Sequence, residues 1–151
     1  ALPISLARIA FVLGYAVTII DPREAFARKE RWAGPGLVID VITDYPDEVL
    51  GARAIDHRTA IVALTHDPKI DDPALEVALR GPAFYVGALG SAKTHASRLG
   101  RLAERGFAAE ALARIHGPIG LKIGARSPGE VAVAIVAQMT ESLRRGGAVT
   151  P

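Results

Sequence analysis

Apolar residues along the chain recur in two spacings, and glycine or proline separates the segments. A period near 3.6 predicts helices, whereas short uninterrupted apolar runs bounded by turn residues predict buried strands. The helical spacing predicts helices over residues 3–13, 45–52, 73–80, 91–105, 108–115 and 128–145. The apolar runs predict strands over residues 16–20, 37–42, 60–64 and 83–87.

Capping signals mark the ends of two of these helices. Asp72 before Pro73 predicts an N-cap followed by proline at the first helical position, and Gly81 predicts where that helix ends. Ser127 and Glu130 have the spacing of a capping box, which predicts the start of the last helix.

Uninterrupted apolar strands that alternate with helices are typical of a parallel sheet covered on both faces. A charged stretch over 22–34 is interpreted as a surface connection, and the sequence contains no internal repeat and no long linker. Half of the 151 residues are hydrophobic but only 5% are aromatic, so the core must consist mainly of small and branched aliphatic side chains. The sequence therefore predicts one α/β domain over residues 1–151.

Composition and charge exclude several classes of function. The net charge is +2 without a basic run or an aromatic series, so nucleic-acid binding is not indicated. The chain has no cysteine, which excludes disulfides, thiolate metal sites and a cysteine nucleophile within it. No apolar run reaches the length of a membrane span, and residues 1–10 lack the features of a signal peptide. We expect a cytoplasmic protein.

Polar or glycine-bearing segments follow the predicted strands and precede the last helix. Ligands of α/β sheets bind at the carboxyl ends of the strands. The segments at 21–23, 65–67 and 87–91 follow three of the strands, and the segment at 120–127 leads into the last helix. We expect the ligand site to lie between the first three segments.

Asp21 stands where dinucleotide-binding folds place an acid that holds a ribose hydroxyl. That acid follows a glycine-rich loop by roughly 20 residues. No such loop precedes Asp21 in this sequence, so the alternative is an acid that caps the end of a strand. If a dinucleotide binds, Asp21 favours NAD, although Arg23 could accept the 2′-phosphate of NADP.

The segment at 87–91 is suited to an anion. Gly87 and Gly90 let the backbone approach a ligand, and Ser91 opens a helix whose first N–H groups attract negative charge. A tight strand-to-helix turn is the alternative. The pair His66-Asp67 also fits an ordinary turn, and without a second histidine at ligand spacing we predict no metal site.

Three arginines, Arg98, Arg101 and Arg105, share one face of the predicted helix over 91–105. Such a face is usually solvated, and contact with a ligand is the alternative. His57 and His116 have no functional context in the sequence.

Four segments resemble, in the same order, the C-terminal half of the XdhC/CoxI family, which comprises accessory proteins of molybdenum hydroxylases such as xanthine dehydrogenase. These segments are LGYAVTIIDPR, AIVALTHDPKIDDPAL, FYVGALGSAKTHASRL and IHGPIGLKIGARSPGEVAVAI. The resemblance covers roughly residues 6–144 and implies a Rossmann-like domain. It also implies that the first strand of the sheet and its glycine loop come immediately before Ala1, and that the family's N-terminal domain with its cysteine-containing motif is absent.

The absent first strand would lie between the strands over 16–20 and 60–64 in the usual Rossmann order. We expect another part of a longer protein, or another copy of it, to supply a strand there. Unpaired sheet edges also favour self-association, so we expect a homodimer.

The resemblance further implies a function in cofactor handling. Family members bind the molybdenum cofactor, protect it while its terminal sulfur ligand is installed, and deliver it to the hydroxylase. The implied partners are a xanthine dehydrogenase-type hydroxylase and a cysteine desulfurase. The family motifs include the positions Asp21, His66, Asp67, Gly87, Gly90, Ser91, Thr94, His95, Gly117, Gly120, Gly124 and Arg126.

From these positions and from the residues that follow the strands we select the cofactor-binding residues. They are Asp21, Arg23, His66, Asp67, Gly87, Gly90, Ser91, Thr94, His95, Gly124 and Arg126. Lys122 departs from the acidic residue often found at its position in the family. We assign no catalytic residue, because no general acid, nucleophile or metal set points to a reaction.

A second class of function competes with cofactor delivery. The chain could be an NAD(P)-binding oxidoreductase domain associated with xanthine dehydrogenase. In that case the cofactor would be NAD(P) rather than the molybdenum cofactor.

Overall fold

The computed structural model describes residues 2–24, 34 and 36–146. Most of the charged connection predicted over 22–34 therefore lies outside the described residues. The elements in chain order are α1 Leu2–Val12, β1 Val17–Ile20, β2 Ile39–Ile42, α2 Pro46–Ala52, β3 Ala60–Ala63, α3 Pro68–Arg80, β4 Tyr85–Ala88, α4 Ala92–Glu104, α5 Ala109–Leu112, β5 Ile115–His116 and α6 Pro128–Glu141, with a π-helical turn Ser142–Gly146 after α6.

The predicted alternation of parallel strands and helices is confirmed. β1 pairs with β2, and β3, β4 and β5 form a second sheet in that order, with every pairing parallel. The predicted helix over 108–115 is present as α5 but ends at Leu112, and β5 corrects the end of that prediction. Its Ile115 is buried and pairs with Val86 of β4, so packing and pairing against the sheet override the local helical pattern.

The start of α3 corrects a second prediction. The N-cap is Asp67, whose side chain accepts a backbone N–H of the first turn at 3.0 Å, and Pro68 occupies the first helical position. Asp67 and Pro68 lie five residues before Asp72 and Pro73 and carry the same signal of a capping acid followed by proline. Pro73 lies inside the helix, whereas the predicted end at Gly81 is confirmed.

The last helix starts as its sequence predicts. Ser127 caps α6, and both hydrogen bonds of the capping box with Glu130 are present. The α-helix ends at Glu141 and continues as a π-helical turn to Gly146, so the predicted extent to residue 145 includes that turn.

Helices pack on both faces of the second sheet. Tyr85 and Val86 are neighbours on β4 and therefore point to opposite faces. Val86 packs in a cluster with Leu75 of α3 and Leu102 of α4, while Tyr85 packs in a cluster with Leu6 of α1 and side chains of α6. This arrangement confirms the predicted Rossmann-like fold class.

The sheet is interrupted between β1 and β3. No strand pairing joins the two sheets within the described residues. A cleft of about 990 Å³ separates them, with residues 17–20 on one wall and residues 60–64 on the other. The usual Rossmann order places a further strand at this position. Among the described residues, no helix has the length and apolar character needed to cross a membrane.

Candidate functional site

The cleft has a polar mouth at the carboxyl ends of β1 and β3. Asp21, Arg23, Thr65, His66 and Asp71 line it there. Arg23 donates to Oδ1 of Asp21 from its backbone N at 2.9 Å and from Nε at 3.0 Å, and to Oδ2 from Nη2 at 2.9 Å. The hydrogen bond to Asp21 raises the pKa of Arg23. The two side chains therefore form a bidentate pair at the mouth.

The turn between β3 and α3 is built on a buried acid. Asp71 is 3% exposed, and its Oδ1 accepts from the Thr65 hydroxyl at 2.6 Å and from the Thr65 backbone N at 3.4 Å. The backbone N of Asp67 donates to the same hydroxyl at 3.1 Å. Between them, His66 has a φ of 65°, in the left-handed region that non-glycine residues rarely adopt. Burial raises the pKa of Asp71, and the hydrogen bonds from Thr65 oppose that effect.

The loop between β4 and α4 turns tightly into the helix. Gly90 has a φ of 144°, and a Cβ there would lie 2.9 Å from Cγ2 of Thr94. Ser91 is the N-cap, since its hydroxyl accepts the backbone N–H of Thr94 at 3.1 Å and lies 3.0 Å from the Thr94 hydroxyl. The close approach and the left-handed conformation both require glycine at position 90.

Arg98 lies beneath this loop and corrects the expectation of a solvated arginine face. It is 3% exposed, and its Nη2 donates to the Leu89 carbonyl at 2.9 Å. Its Nη1 lies 3.3 Å from Nδ1 of His95. Burial lowers the pKa of His95, and the charge of Arg98 lowers it further.

The other two arginines of that face bind acids on α3. Arg101 donates to Asp72 from Nε at 2.6 Å, and Arg105 donates to Glu76 from Nε at 2.8 Å. Arg101 and Arg105 therefore bind the neighbouring helix while their side chains stay partly open to solvent, and of the three arginines only Arg98 is buried.

Gly87 does not leave an open space for a ligand. A Cβ at this position would lie 2.6 Å from Cδ1 of Ile119 and 2.9 Å from Cε2 of Tyr85, so side chains of the protein occupy that space. A Cβ at Gly117 would likewise collide with the ring of His95. The glycines at 87 and 117 thus allow the segment after β5 to pack closely on β4 and α4.

Gly124 and Arg126 lie on the exposed loop that leads into α6. Gly124 has a φ of 77°, and the backbone N of Arg126 donates to Oε1 of Glu130 at 2.9 Å. Neither residue is among the described residues that line the cleft.

The predicted residues thus form two groups. Asp21, Arg23 and His66 meet at the mouth of the cleft, whereas Gly90, Ser91, Thr94 and His95 gather at the start of α4. Asp67 stands beside the first group, and its charge raises the pKa of Arg23.

Two charged residues lie beneath these groups: Asp71, which sequence reasoning missed, and Arg98, which it considered only as a member of the arginine face. A signal was present at Asp71, because Ala74, Leu75 and Ala78 follow it at helical spacing on the buried face of α3. An acid within an apolar stripe indicates a buried acid with a specific partner.

Parallel strands, helices on both faces and polar side chains at the carboxyl ends define a Rossmann-like domain. The model of the XdhC Rossmann domain family matches residues 2–139, and the chain belongs to this family. The resemblance seen in the four sequence segments is confirmed.

Relatives of the chain include proteins with names that concern molybdenum enzymes. The molybdenum cofactor insertion chaperone PaoD of Escherichia coli (strain K12) is 38% identical over 85 residues, which cover 56% of this chain and 27% of that protein. A protein of Bacillus subtilis (strain 168) that is named as a probable xanthine dehydrogenase subunit is 28% identical over 142 residues, which cover 94% of this chain and 40% of that protein.

A crystal structure described as a xanthine dehydrogenase from Bacillus halodurans has a similar fold. The TM-score is 0.76 at 27% identity, and the match covers 98% of this chain and 41% of that one. The chain spans less than half the length of each of these relatives.

Proposed function

We propose that this chain is the Rossmann-like domain, residues 1–151, of an accessory protein that binds the molybdenum cofactor and delivers it to a hydroxylase of the xanthine dehydrogenase type. The observation that carries the proposal is the family match over residues 2–139, together with a relative that is named as a cofactor insertion chaperone.

The start of α4 suits the phosphate of such a cofactor. α4 is 13 residues long, and the N-terminus of a helix presents unpaired N–H groups and the positive end of the helix dipole. Gly90, Ser91, Thr94 and His95 surround this terminus, and the buried guanidinium of Arg98 adds positive charge beneath it. These residues would hold the phosphate.

The mouth of the cleft suits the pterin. Carboxylates accept hydrogen bonds from N–H groups, and Asp21, Asp67 and the imidazole of His66 stand at this mouth or beside it. Arg23 at the mouth and Arg126 on the exposed loop before α6 are further candidates to bind anionic groups of the cofactor. Gly87 allows the close packing on β4, and Gly124 allows the turn of that exposed loop. When bound, the cofactor supplies the molybdenum at which the hydroxylase carries out its redox chemistry, while the chain only holds and orients it.

Delivery of the cofactor would require further proteins and a location in the cell. A cysteine desulfurase would supply the terminal sulfur. The edges of β1 and β3 have no partner strand in the described part of the chain, which favours a homodimer. We place the protein in the cytoplasm, where these partners would act.

The second candidate is an NAD(P)-binding oxidoreductase domain. Asp21 at the end of β1 favours it, as does a relative named as a probable xanthine dehydrogenase subunit. Both carboxylate oxygens of Asp21 already accept from Arg23, so a ribose hydroxyl would have to compete with that pair.

Reconstitution of a cofactor-free hydroxylase separates the two candidates. The protein should raise the recovered hydroxylase activity when it is mixed with cofactor and apo-enzyme, and it should not oxidise NAD(P)H with xanthine or artificial acceptors. Steady NAD(P)H oxidation without a gain in reconstitution would favour the oxidoreductase.

Variants at the start of α4 test the phosphate site. Ser91→Ala or His95→Ala should weaken cofactor retention about tenfold, the usual loss for one hydrogen bond to a charged group. Ser97→Ala, at an exposed serine of the same helix, is the matched control and should retain cofactor like the original chain.

A further inference from the structure

The two loops that carry the candidate site are each bound to one member of a buried pair of opposite charges. Asp71 of α3 accepts from both the hydroxyl and the backbone N of Thr65, at the start of the β3–α3 turn. Arg98 of α4 donates to the carbonyl of Leu89, at the start of the β4–α4 loop, and contacts His95. Each helix thus holds its own loop through a single buried side chain.

The hydrogen bonds within each loop leave part of both side chains unsatisfied. Oδ2 of Asp71 and Nε of Arg98 are buried without a hydrogen-bond partner among the described residues. The two side chains form no ion pair within 4 Å, in contrast to Arg101 and Asp72 on the same two helices. Their charges nevertheless interact, and burial leaves that interaction less screened than at a surface.

We propose that Asp71 and Arg98 are positioning residues that hold the β3–α3 turn and the β4–α4 loop in a fixed relation to each other. Each charge offsets part of the cost of burying the other in the interior between α3 and α4. A change in one residue therefore alters the loop that the other one holds. This inference deepens the proposed function, because those loops carry the residues assigned to the cofactor.

Amide hydrogen exchange in the ligand-free protein tests this cross-loop effect. Asp71→Asn keeps the size of the side chain and an acceptor for Thr65, so direct damage to its own turn is small. Loss of its charge removes the larger of the two negative charges that act on Arg98, Asp71 and Asp72, and exchange at the Ser91–Thr94 amides should become about tenfold faster. In Arg98→Gln, exchange at Thr65 and Asp67 should accelerate to a similar extent.

Arg98→Lys provides a rescue that a merely space-filling role would not predict. Lysine keeps the positive charge and a donor for the Leu89 carbonyl, so exchange at Thr65 and Asp67 should remain close to that of the original chain. In addition, the pKa of His95, followed by NMR, should rise in Arg98→Gln, because the positive charge that lowers it is removed.

The ion pair between Arg105 and Glu76 supplies the matched control. Glu76→Gln and Arg105→Gln remove a contact between α3 and the end of α4, but they touch neither loop and neither residue acts on the charges of Asp71 and Arg98. Both should leave the exchange rates of the two loops within about twofold of the original.

The double variant Asp71→Asn/Arg98→Gln keeps the test valid if a single variant unfolds. It buries no lone charge, so it should fold, and its two exchange effects should be smaller than the sum of the single effects. Effects confined to the substituted residue's own loop, or equal effects in the control variants, would overturn the proposal. Every readout is taken without ligand, so a failure of cofactor delivery would leave this result standing.

Discussion

Gly87 lies in the middle of β4 under the side chains of Ile119 and Tyr85. Adding a Cβ there forces those side chains to move, and overpacking of this kind costs about 1–3 kcal/mol. Gly87→Ala should therefore lower the free energy of unfolding by that amount, as measured by urea denaturation.

Gly100 is the control for this substitution. It lies within α4, and a Cβ there meets nothing within 4 Å. Gly100→Ala should raise the free energy of unfolding by about 0.5–1 kcal/mol, because alanine favours the helix. A Gly87→Ala chain as stable as the original would contradict the packing around β4.

His116 makes the stability of the folded chain depend on pH. Its ring stacks on Tyr85 with centroids 4.6 Å apart, and burial lowers the pKa of His116 below the ordinary value of 6.5. Below pH 6.5 the unfolded chain therefore binds more protons at this position than the folded chain, and folding stability falls as the pH decreases.

His116→Phe keeps the stacked ring but cannot take up a proton. The stability of this variant should decrease less than that of the original chain when the pH is lowered from 7.5 to 5, as measured by chemical denaturation at each pH. An equal effect of His57→Phe, at an exposed histidine, would argue against the buried ring as the cause.

The residue scale is also where the sequence was least informative. The positions of Asp21 and Ser91 after their strands follow from the order of elements alone. The approach of Arg98 to Leu89 and the electrostatic interaction of Asp71 with Arg98 depend on how α3 and α4 are rotated against each other. No local spacing in the sequence determines that rotation.

At the scale of elements, the long helices and the apolar strands could be predicted from periodicity and caps. β5 could not be predicted, because its two residues are a strand only through pairing with β4. The start of α3 was ambiguous, since Asp67-Pro68 and Asp72-Pro73 carry the same local signal and only the packed structure selects between them.

The inner edges of β1 and β3 lead to a prediction about sheet pairing. Their backbone groups face the cleft and have no partner strand among the described residues. We expect an extended segment of the same protein or of a second copy to pair there, since unpaired buried backbone groups cost about 1–3 kcal/mol each.

Hydrogen exchange over a dilution series measures this pairing. Protection of the edge amides that is independent of concentration indicates a segment of the same protein, and protection that increases with concentration indicates a second copy. Rapid exchange at every concentration would contradict the expected pairing.

At the scale of the whole molecule, the proposed ligand should stabilise the fold. A ligand that binds only the folded state adds about 2.7 kcal/mol when its concentration is 100 times its Kd. Molybdenum cofactor should therefore raise the midpoint of thermal unfolding, and NAD or NADP at the same concentration should not. The reverse result would favour the dinucleotide.

The separation of the two sheets has a consequence for how the molecule loses its structure. All four residues of β1 are only partly buried, whereas β4 is buried along its whole length. No ladder of hydrogen bonds transmits cooperativity from the β3–β5 sheet to β1 and β2 among the described residues. When no segment is paired between β1 and β3, the β1–β2 pair should therefore open as a separate foldon at a lower free energy than the rest of the chain. The face of the cleft that bears Asp21 would then be the first part of the domain to melt and the last to assemble.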